Sequence, residues 1–282
     1  MTKEEQNTYF ITADQSLFSL PLKEVWAYRD LLTMLVKRDF ITFYKQTILG
    51  PLWFIVQPLM TTAIYIILFG NIANLSTDGM PQILFYLSGI TIWNYFSESL
   101  TKTSSVFTAN ASMFGKVYFP RLIMPISIVT SSLMKFIVQF VIFLIVWLYY
   151  LFFTETIKPN LWILLTPVLI LLMAIFALGM GMIFSSLTTK YKDLTFLLTF
   201  GIQLFMYLTP VVYPASALPQ KYQFFIYLNP LSSIFEGFRY AFLGAGSINI
   251  INILWSSIFI IFILVFGTIT FNKVEKSFMD TV

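Results

Sequence analysis

Residues 213–247 read YPASALPQKYQFFIYLNPLSSIFEGFRYAFLGAGS, and the interpretation of the whole chain depends on this stretch. It is too apolar for an ordinary loop, yet Pro219, Pro230 and Gly244 interrupt it too often for a membrane-spanning helix. Non-spanning apolar backbone is tolerated at membrane depth only where protein or a water-filled cavity shields it. The sequence therefore predicts a re-entrant helical hairpin that covers a passage, with a purely structural cap as the alternative.

The hairpin divides into two predicted helices at Asn229-Pro230. The second helix begins at Pro230, because proline suits a first helical position, and Asn229 is its predicted cap. Glu236 and Arg239 lie one turn apart on this helix and are expected to pair.

Six apolar stretches flank the hairpin, and each is close to the roughly 20 residues that a helix needs to cross a membrane. Hydrophobic residues make up 58% of the chain and charged residues 11%, against about a quarter charged in soluble domains. Continuous apolar runs also differ from the short alternating segments of a β-barrel. The chain is thus predicted to be an all-α integral membrane protein with six transmembrane helices, at Pro51–Asn71, Ile83–Thr103, Leu122–Phe152, Leu161–Leu187, Leu194–Val212 and Ile250–Phe271.

The segment before the first span divides into two parts. Residues 1–22 are polar and lack the features of a cleavable signal peptide. Residues 23–49 are predicted to contain an amphipathic helix, which lies either in the headgroup plane or against a partner protein. Its predicted apolar stripe is Val25, Tyr28, Leu32, Val36, Phe40 and Phe43.

The basic residues set the expected orientation in the membrane. Thirteen lysines and arginines fall on the side of the N-terminus, three fall on the other side, and Lys135 lies within a span. Because cytoplasmic loops carry the excess of Lys and Arg, both termini are predicted to be cytoplasmic, including the tail 273–282.

Several classes of function are disfavoured by missing residue types. The sequence has no histidine and no cysteine, which removes the commonest general base and the commonest metal ligands. It also lacks a phosphate-binding loop of the Gly-x-x-x-x-Gly-Lys-Ser/Thr type. We therefore expect no catalytic residues, no metal site and no ATP site in this chain. The net charge of +4 follows from membrane topology and requires no nucleic acid.

The cytoplasmic loop 104–121, between the second and third spans, is a candidate docking segment. It contains a short predicted helical turn whose exposed Phe and Met side chains require a cover. The cover is either a groove of a partner protein, or the membrane surface and the underside of the helices. The candidate residues are Phe107, Asn110, Met113 and Phe114.

Polar and aromatic residues within the spans give weaker signals. Lys135 faces either the bundle interior or, by extending its side chain, the headgroups. Aromatic side chains in the first and fifth spans stack on sugar rings or simply face lipid. The candidates for a channel lining are Tyr65, Phe69, Phe205 and Tyr207.

Four ordered motifs give the chain a family resemblance from about Lys23 to its end. They are VKRDF at 36–40 with LGPLW at 49–53, GKVYFPR at 115–121, TPVVYP at 209–214, and NPL at 229–231 with GFR at 237–239. With these motifs the chain resembles the membrane subunit of an ABC exporter of the ABC-2 type. It is similar to the branch that moves lipid-linked O-antigens, capsular polysaccharides and wall teichoic acids.

The resemblance implies a homodimeric permease above two ABC ATPase subunits, which bind ATP and Mg while this chain holds no cofactor. The loop 104–121 then transmits the movement of the ATPases. The hairpin is then an outer gate, with Tyr213, Pro214, Tyr222, Asn229, Pro230, Glu236 and Arg239 as its candidate residues.

The resemblance also implies a cargo and a location. The first and fifth spans of both subunits part, and an undecaprenyl-pyrophosphate-linked, O-antigen-like glycan enters between them in the bacterial cytoplasmic (inner) membrane. Lys37, Arg38 and Lys45 either attract the pyrophosphate or reflect the positive-inside rule alone. Export of teichoic acid or capsular polysaccharide, and a stand-alone secondary transporter, are the alternatives.

Overall fold

The computed structural model describes residues 22–45, 48–114, 116, 119–246 and 248–278, which are helical without any strand. The predicted polar segment up to residue 21, residues 115, 117 and 118 of one motif, and residues 279–282 of the predicted tail lie outside this range. The helices are α1 (Leu22–Ala27), α2 (Arg29–Tyr44), α3 (Trp53–Tyr65), α4 (Gln82–Ser104), α5 (Val106–Ala109), α6 (Ala111–Phe114), α7 (Ile123–Phe153), α8 (Thr166–Lys190), α9 (Leu194–Leu208), α10 (Gln220–Leu228), α11 (Pro230–Leu243) and α12 (Ile250–Phe278).

Among the described residues, four helical segments are long and apolar enough to cross a membrane. They are Gly50–Ile72, Ile123–Phe153, Leu161–Lys190 and Ile250–Lys276, and they coincide with the first, third, fourth and sixth predicted spans. Helices α4 and α9 lie at the two remaining predicted spans. Helix α4 has many polar residues, and α9 has only 15 residues.

Helix α4 lies at the centre of the bundle and packs against α3, α7, α8, α9 and α11. It is buried along most of its length, including the polar side chains of Ser88, Thr91 and Ser99. A helix that is surrounded by protein does not need the uniformly apolar surface of a helix that faces lipid. This position explains why α4 is the most polar of the long helices.

Small residues bring α8 and α12 into close contact. A Cβ atom on Gly267 of α12 would overlap the carbonyl oxygen of Gly179 on α8. The two glycines therefore allow the two backbones to touch.

The N-terminal amphipathic segment forms two helices, and its buried face differs from the predicted stripe. The break falls at Tyr28, which is exposed, although the pattern placed it on the apolar face. Leu35 is buried instead, and Leu31, Leu32 and Val25 pack beside it against residues of the cytoplasmic loop and α7. Helix α2 packs along α7, so Leu35 is the most buried residue of this contact, while Leu32, Val36 and Phe40 of the predicted stripe are half-buried.

Candidate functional site

The two arms of the hairpin have opposite environments. Helix α10 is largely exposed, with Phe224 and Phe225 about two-thirds accessible. Every residue of α11 except Tyr240 is buried, against α12, α8, α4 and the 3-10 turn Leu161–Leu165. The second arm is therefore a core helix of the bundle, and only the first arm is a surface element.

The ends of α11 follow the sequence prediction. The Asn229 side-chain oxygen accepts a hydrogen bond from the Leu231 N–H at 3.0 Å, and Pro230 occupies the first helical turn. Gly244 ends the helix with a φ of 74°, a conformation that glycine adopts without steric cost.

Arg239 is the buried centre of the hairpin, with 1% of its surface accessible. Its two terminal nitrogens donate hydrogen bonds to the carbonyl oxygens of Pro210 and Val211, each at 2.6 Å. The guanidinium also lies 3.7 Å from the ring centroid of Phe85 on α4. Because α9 ends at Leu208, Arg239 satisfies carbonyls that no following helical turn can reach.

A glycine on α4 makes room for this arrangement. A Cβ atom at Gly89 would lie 2.6 Å from the Val211 carbonyl oxygen and 2.9 Å from the Arg239 guanidinium. A side chain at Gly89 would displace either the loop after α9 or Arg239.

Glu236 balances the charge of Arg239, as predicted. Its carboxylate lies 3.9 Å from the Arg239 guanidinium and accepts a hydrogen bond from the Ala215 N–H at 3.3 Å. Burial raises the pKa of the Glu236 carboxyl, while Arg239 and the Ala215 N–H oppose that rise. Burial lowers the pKa of Arg239 to about 10, so its guanidinium remains protonated at neutral pH. Through Arg239 and Glu236, α11 is hydrogen-bonded to two places in the segment after α9, at residues 210–211 and at Ala215.

The predicted gate residues outside this pair lie around the same loop. The Asn229 amide donates to the Thr209 hydroxyl at 2.8 Å, and the Tyr213 hydroxyl donates to the Tyr207 carbonyl at 2.8 Å. Pro214 is buried and Tyr222 is exposed on α10. An apolar cavity of about 760 Å³ lies under α10, and Tyr213, Tyr222, Asn229, Pro230 and Phe205 are among its lining residues.

The predicted channel aromatics are mostly packed in the protomer. The Tyr65 hydroxyl contacts the Met206 sulfur at 3.7 Å, which brings α3 and α9 together, and the Tyr65 ring meets Phe69 edge to face. Phe205 packs between Trp93 and Phe96 of α4, with ring centroids about 6 Å apart. Tyr207 has 55% of its surface accessible and is the one exposed member of the predicted set.

Contrary to the sequence prediction, the loop 104–121 buries its two candidate aromatic side chains. Phe107 and Phe114 are buried, and the Phe107 ring stacks on Phe271 of α12 with centroids 4.5 Å apart. The interpretation of these two residues as an exposed docking surface is therefore wrong. The bundle itself covers them, because both turns of the loop fold under α7, α8 and α12.

The exposed face of this loop consists of other residues. Thr108, Ala109 and Ser112 are exposed, whereas Met113 is half-buried. The Asn110 side chain bonds to the Val106 carbonyl of its own turn. The exposed face of the two short helices is thus formed by small side chains over buried aromatic rings.

The three basic residues predicted to attract the pyrophosphate do not share one partner among the described residues. Lys37 and Lys45 are exposed, and Arg38 makes an ion pair with Asp39 at 2.8 Å. By contrast, Lys135 does not extend to the headgroups: it is buried and paired with Glu98 of α4. Sequence reasoning did not identify Glu98 as this partner, nor Pro210 and Val211 as those of Arg239.

Comparison with known proteins identifies the family. Among the described residues, no group of three His, Cys, Asp or Glu residues is placed to hold a metal ion. Residues 30–243 match the ABC-2 type transporter family.

Individual relatives cover nearly the whole chain. An O-antigen export system permease protein, RfbA, of Klebsiella pneumoniae is 30% identical over 89% of this chain and 94% of its own length. The Myxococcus xanthus protein of the same name is 26% identical over 78% and 83%. A polysialic acid transport protein, KpsM, of Escherichia coli is 22% identical over 86% and 93%. The match over three-quarters of its length shows that this chain belongs to the family of ABC-2 type transporters.

Proposed function

We propose that this chain is the permease subunit of an ATP-driven ABC exporter that moves a lipid-linked, O-antigen-like polysaccharide across the cytoplasmic membrane of a bacterium. The observation that carries the proposal is the similarity to O-antigen export permeases along nearly the full length of both chains. The similarity to the polysialic acid transporter is weaker, so an O-antigen-like cargo is favoured over a capsular one.

The proposed topology has six crossings, with the termini in the cytoplasm. Helix α4 has 23 residues, about 34 Å at 1.5 Å per residue, which is enough to cross the hydrocarbon while other helices shield its polar side chains. Helix α9 alone reaches only about 22 Å. Its crossing is completed by residues 209–212, in which the carbonyls of Pro210 and Val211 accept hydrogen bonds from Arg239 of the re-entrant hairpin.

Two copies of the chain are proposed to surround the conduit. Helices α3 and α9 meet through Tyr65 and Met206, and both expose long apolar faces away from the core. A second copy that packs on these faces would form a passage between two α3–α9 pairs. The exposed ring of Tyr207 then faces the passage and can stack on sugar.

The two arms of the hairpin suggest how the outer gate works. Helix α11 is fixed in the core by Arg239, Glu236 and Asn229, whereas α10 has few buried residues and covers an apolar cavity. In this mechanism α10 moves to release the glycan, and α11 stays in place as its support.

Energy comes from two partner ATPase subunits, which bind ATP and Mg. They dock on the exposed small residues of α5 and α6, and the buried rings of the same loop transmit the movement to α12 through Phe271. This arrangement assigns docking and transmission to different faces of one loop.

A reconstituted system tests the proposal. The chain and the ATPase encoded beside it are placed in proteoliposomes with a fluorescent lipid-linked glycan, and glycan movement is measured with and without ATP. We expect movement that requires ATP, both subunits and an intact ATPase site. Movement by this chain alone would establish a secondary transporter instead, and ATP hydrolysis that ignores the glycan would refute the cargo.

Single cysteines test the topology, because the natural sequence contains none. Ser216→Cys lies on the proposed outer side and Ser112→Cys on the cytoplasmic loop, and both positions are exposed. An impermeant maleimide should label the first in intact cells and the second only after permeabilisation. The reverse pattern would invert the topology.

A further inference from the structure

A polar cavity lies between α3, α4 and α7, at a depth where the neighbouring surfaces are apolar. Its volume is about 340 Å³, and eight of its nine lining side chains are polar or charged. Two larger cavities, of about 690 and 760 Å³, are lined almost wholly by apolar side chains. The small cavity is therefore not a gap between lipid-facing helices, because such gaps are lined by apolar residues here.

Three charged residues give the cavity a net positive charge. The Glu98 carboxylate forms ion pairs with two lysines. One is Lys135 of α7, and the other is Lys102 of α4, at 2.7 Å. Two ammonium groups thus share one carboxylate, which leaves a charge of +1. Lys135 has 6% of its surface accessible and lies inside the protein, whereas the Lys102 side chain is 46% accessible and reaches the surface.

Uncharged hydrogen-bonding groups extend the cavity towards the middle of the bilayer. The Asn94 amide lies 3.5 Å from the Gln139 side-chain oxygen, and Gln57 of α3 and two hydroxyl side chains line the same space. Amides and hydroxyls both donate and accept hydrogen bonds, as sugar hydroxyls require. The cavity therefore has a cationic end and an amide-rich end.

The depth of the cavity matches the inner leaflet. Lys102 and Glu98 lie about 3 and 9 Å from the last residue of α4, by the helical rise, and Asn94 lies about 15 Å from it. The Phe54 ring on the cavity wall lies 6.0 Å from Phe40 of α2, so the cavity is next to the amphipathic N-terminal helix. A molecule in the inner leaflet reaches it without crossing the protein core.

We propose that this cavity binds the pyrophosphate and the first sugar of the lipid-linked glycan, with the pyrophosphate against Lys102 and Lys135, beside the Glu98 carboxylate that they share, and the sugar against Asn94, Gln139 and Gln57. The inference rests on the proposed function and gives it a recognition site. Ionisable residues within spans are costly and mark substrate pathways, and two lysines offer charge-assisted hydrogen bonds to an anionic group. The volume falls within the roughly 300–1,000 Å³ of small-ligand pockets.

Direct binding tests the site without requiring transport. The full chain in nanodiscs of zwitterionic lipid is titrated with farnesyl pyrophosphate, and farnesol, inorganic pyrophosphate and phosphatidylglycerol are added as competitors. We expect saturable binding of farnesyl pyrophosphate that farnesol and phosphatidylglycerol do not displace. Equal competition by phosphatidylglycerol would make the cavity a phospholipid site and overturn the proposal, as would equal competition by farnesol.

Substitutions separate a binding role from a structural one. Lys135→Gln should weaken binding about tenfold or more, since it removes a charged hydrogen-bond donor from a buried site. The double variant Glu98→Gln with Lys135→Gln replaces the ion pair by a neutral one, which restores stability and should still bind weakly. Lys158→Gln, at an exposed outer lysine, is the matched control and should bind like the natural protein.

Two results would reject the site. The double variant could bind as tightly as the natural protein, which would make the ion pair purely structural, or Lys135→Gln could leave affinity unchanged. If Lys135→Gln exports normally and binds with unchanged affinity, the proposed site is rejected and the proposed exporter function stands. If the chain binds farnesyl pyrophosphate as expected but shows no ATP-dependent export, the proposed exporter function is rejected and the binding site stands.

Discussion

The hairpin 213–247 and the loop 104–121, at the proposed outer and inner ends of the bundle, both hold a short helix against the bundle, but they use different interactions. At the outer end, Arg239 donates two hydrogen bonds to fixed carbonyls of residues 210 and 211. At the inner end, Phe107 stacks on Phe271 and Phe114 packs against Phe119. Hydrogen bonds require one geometry, whereas apolar contacts are non-directional. The directional contacts of Arg239 therefore specify one position of α11, whereas the ring contacts at the inner end do not by themselves specify one geometry.

The inner loop also has one polar contact to the same helix. Arg121 donates a hydrogen bond to the Glu275 carbonyl oxygen at 2.7 Å, and its guanidinium lies 5.5 Å from the Phe114 ring centroid. The loop is thus attached to α12 at Phe271 and again one turn later. Helix α12 in turn packs against α11, so the loop and the hairpin contact the same helix.

Removal of the buried arginine should have the largest effect on stability. Arg239→Met loses both carbonyl hydrogen bonds and leaves the Glu236 carboxylate without its nearby cation, so we expect a loss of about 3–5 kcal/mol. Arg239→Lys keeps the charge but cannot reach both carbonyls, so its stability should lie between that of the natural protein and that of Arg239→Met. Denaturation of the purified protein in detergent measures these differences.

The matched control is Arg29→Met on the exposed face of α2. Arg29 makes only a 3.5 Å contact to the Trp26 carbonyl and a distant contact to its ring. Its loss should change stability by no more than about 1 kcal/mol. If Arg239→Met were no more destabilising than this control, the directional contacts would not fix the outer hairpin.

Loss of a stacked ring at the inner end should have the next largest effect. Phe107→Ala leaves a void beside Phe271, and we expect a loss of about 3 kcal/mol, near the lower limit for buried phenylalanines because a four-residue helix can partly collapse into it. Phe152→Ala, at a ring with 77% of its surface accessible, is the control. Equal stability of the two variants would contradict the buried position of the loop.

The cap of α11 should have a smaller effect. Asn229→Ala removes the acceptor for the Leu231 N–H and the donor to Thr209, with an expected loss of about 1–2 kcal/mol. Asn229→Asp keeps the cap and loses only the amide donor, so it should recover most of the difference. If Asp were as unstable as Ala, the contact to Thr209 and not the cap would hold this helix end.

The sequence predicted the features that depend on near neighbours. The start of α11 at Pro230, its end at Gly244 and the pair of Glu236 with Arg239 all follow from residues within one or two turns of each other. The four long apolar helices were predicted for the same reason, because length and hydropathy are local properties. The four ordered motifs then indicated the family.

Contacts between distant segments were beyond the sequence. Lys135 and Glu98 lie on different helices, and no spacing rule relates them. The burial of Phe107 depends on Phe271, more than 160 positions away, so an apolar turn looked like an exposed one. The polar helix α4 likewise met the length of a span but not its composition, because its surroundings are set by the packing of the whole bundle.

A substitution on the exposed face of the loop 104–121 should change stability least. It also tests whether this loop, unlike the hairpin, has a docking role. Ser112→Trp adds a large side chain at an exposed position, so the stability of the isolated permease should change by no more than about 0.5 kcal/mol. The same ring should block a docking partner, and glycan-stimulated ATP hydrolysis in the assembled exporter should fall. Thr156→Trp, at an exposed position between α7 and α8, should leave hydrolysis unchanged. Normal ATP hydrolysis in an exporter that carries Ser112→Trp would show that the ATPase docks elsewhere. The loop 104–121 would then have only a structural role.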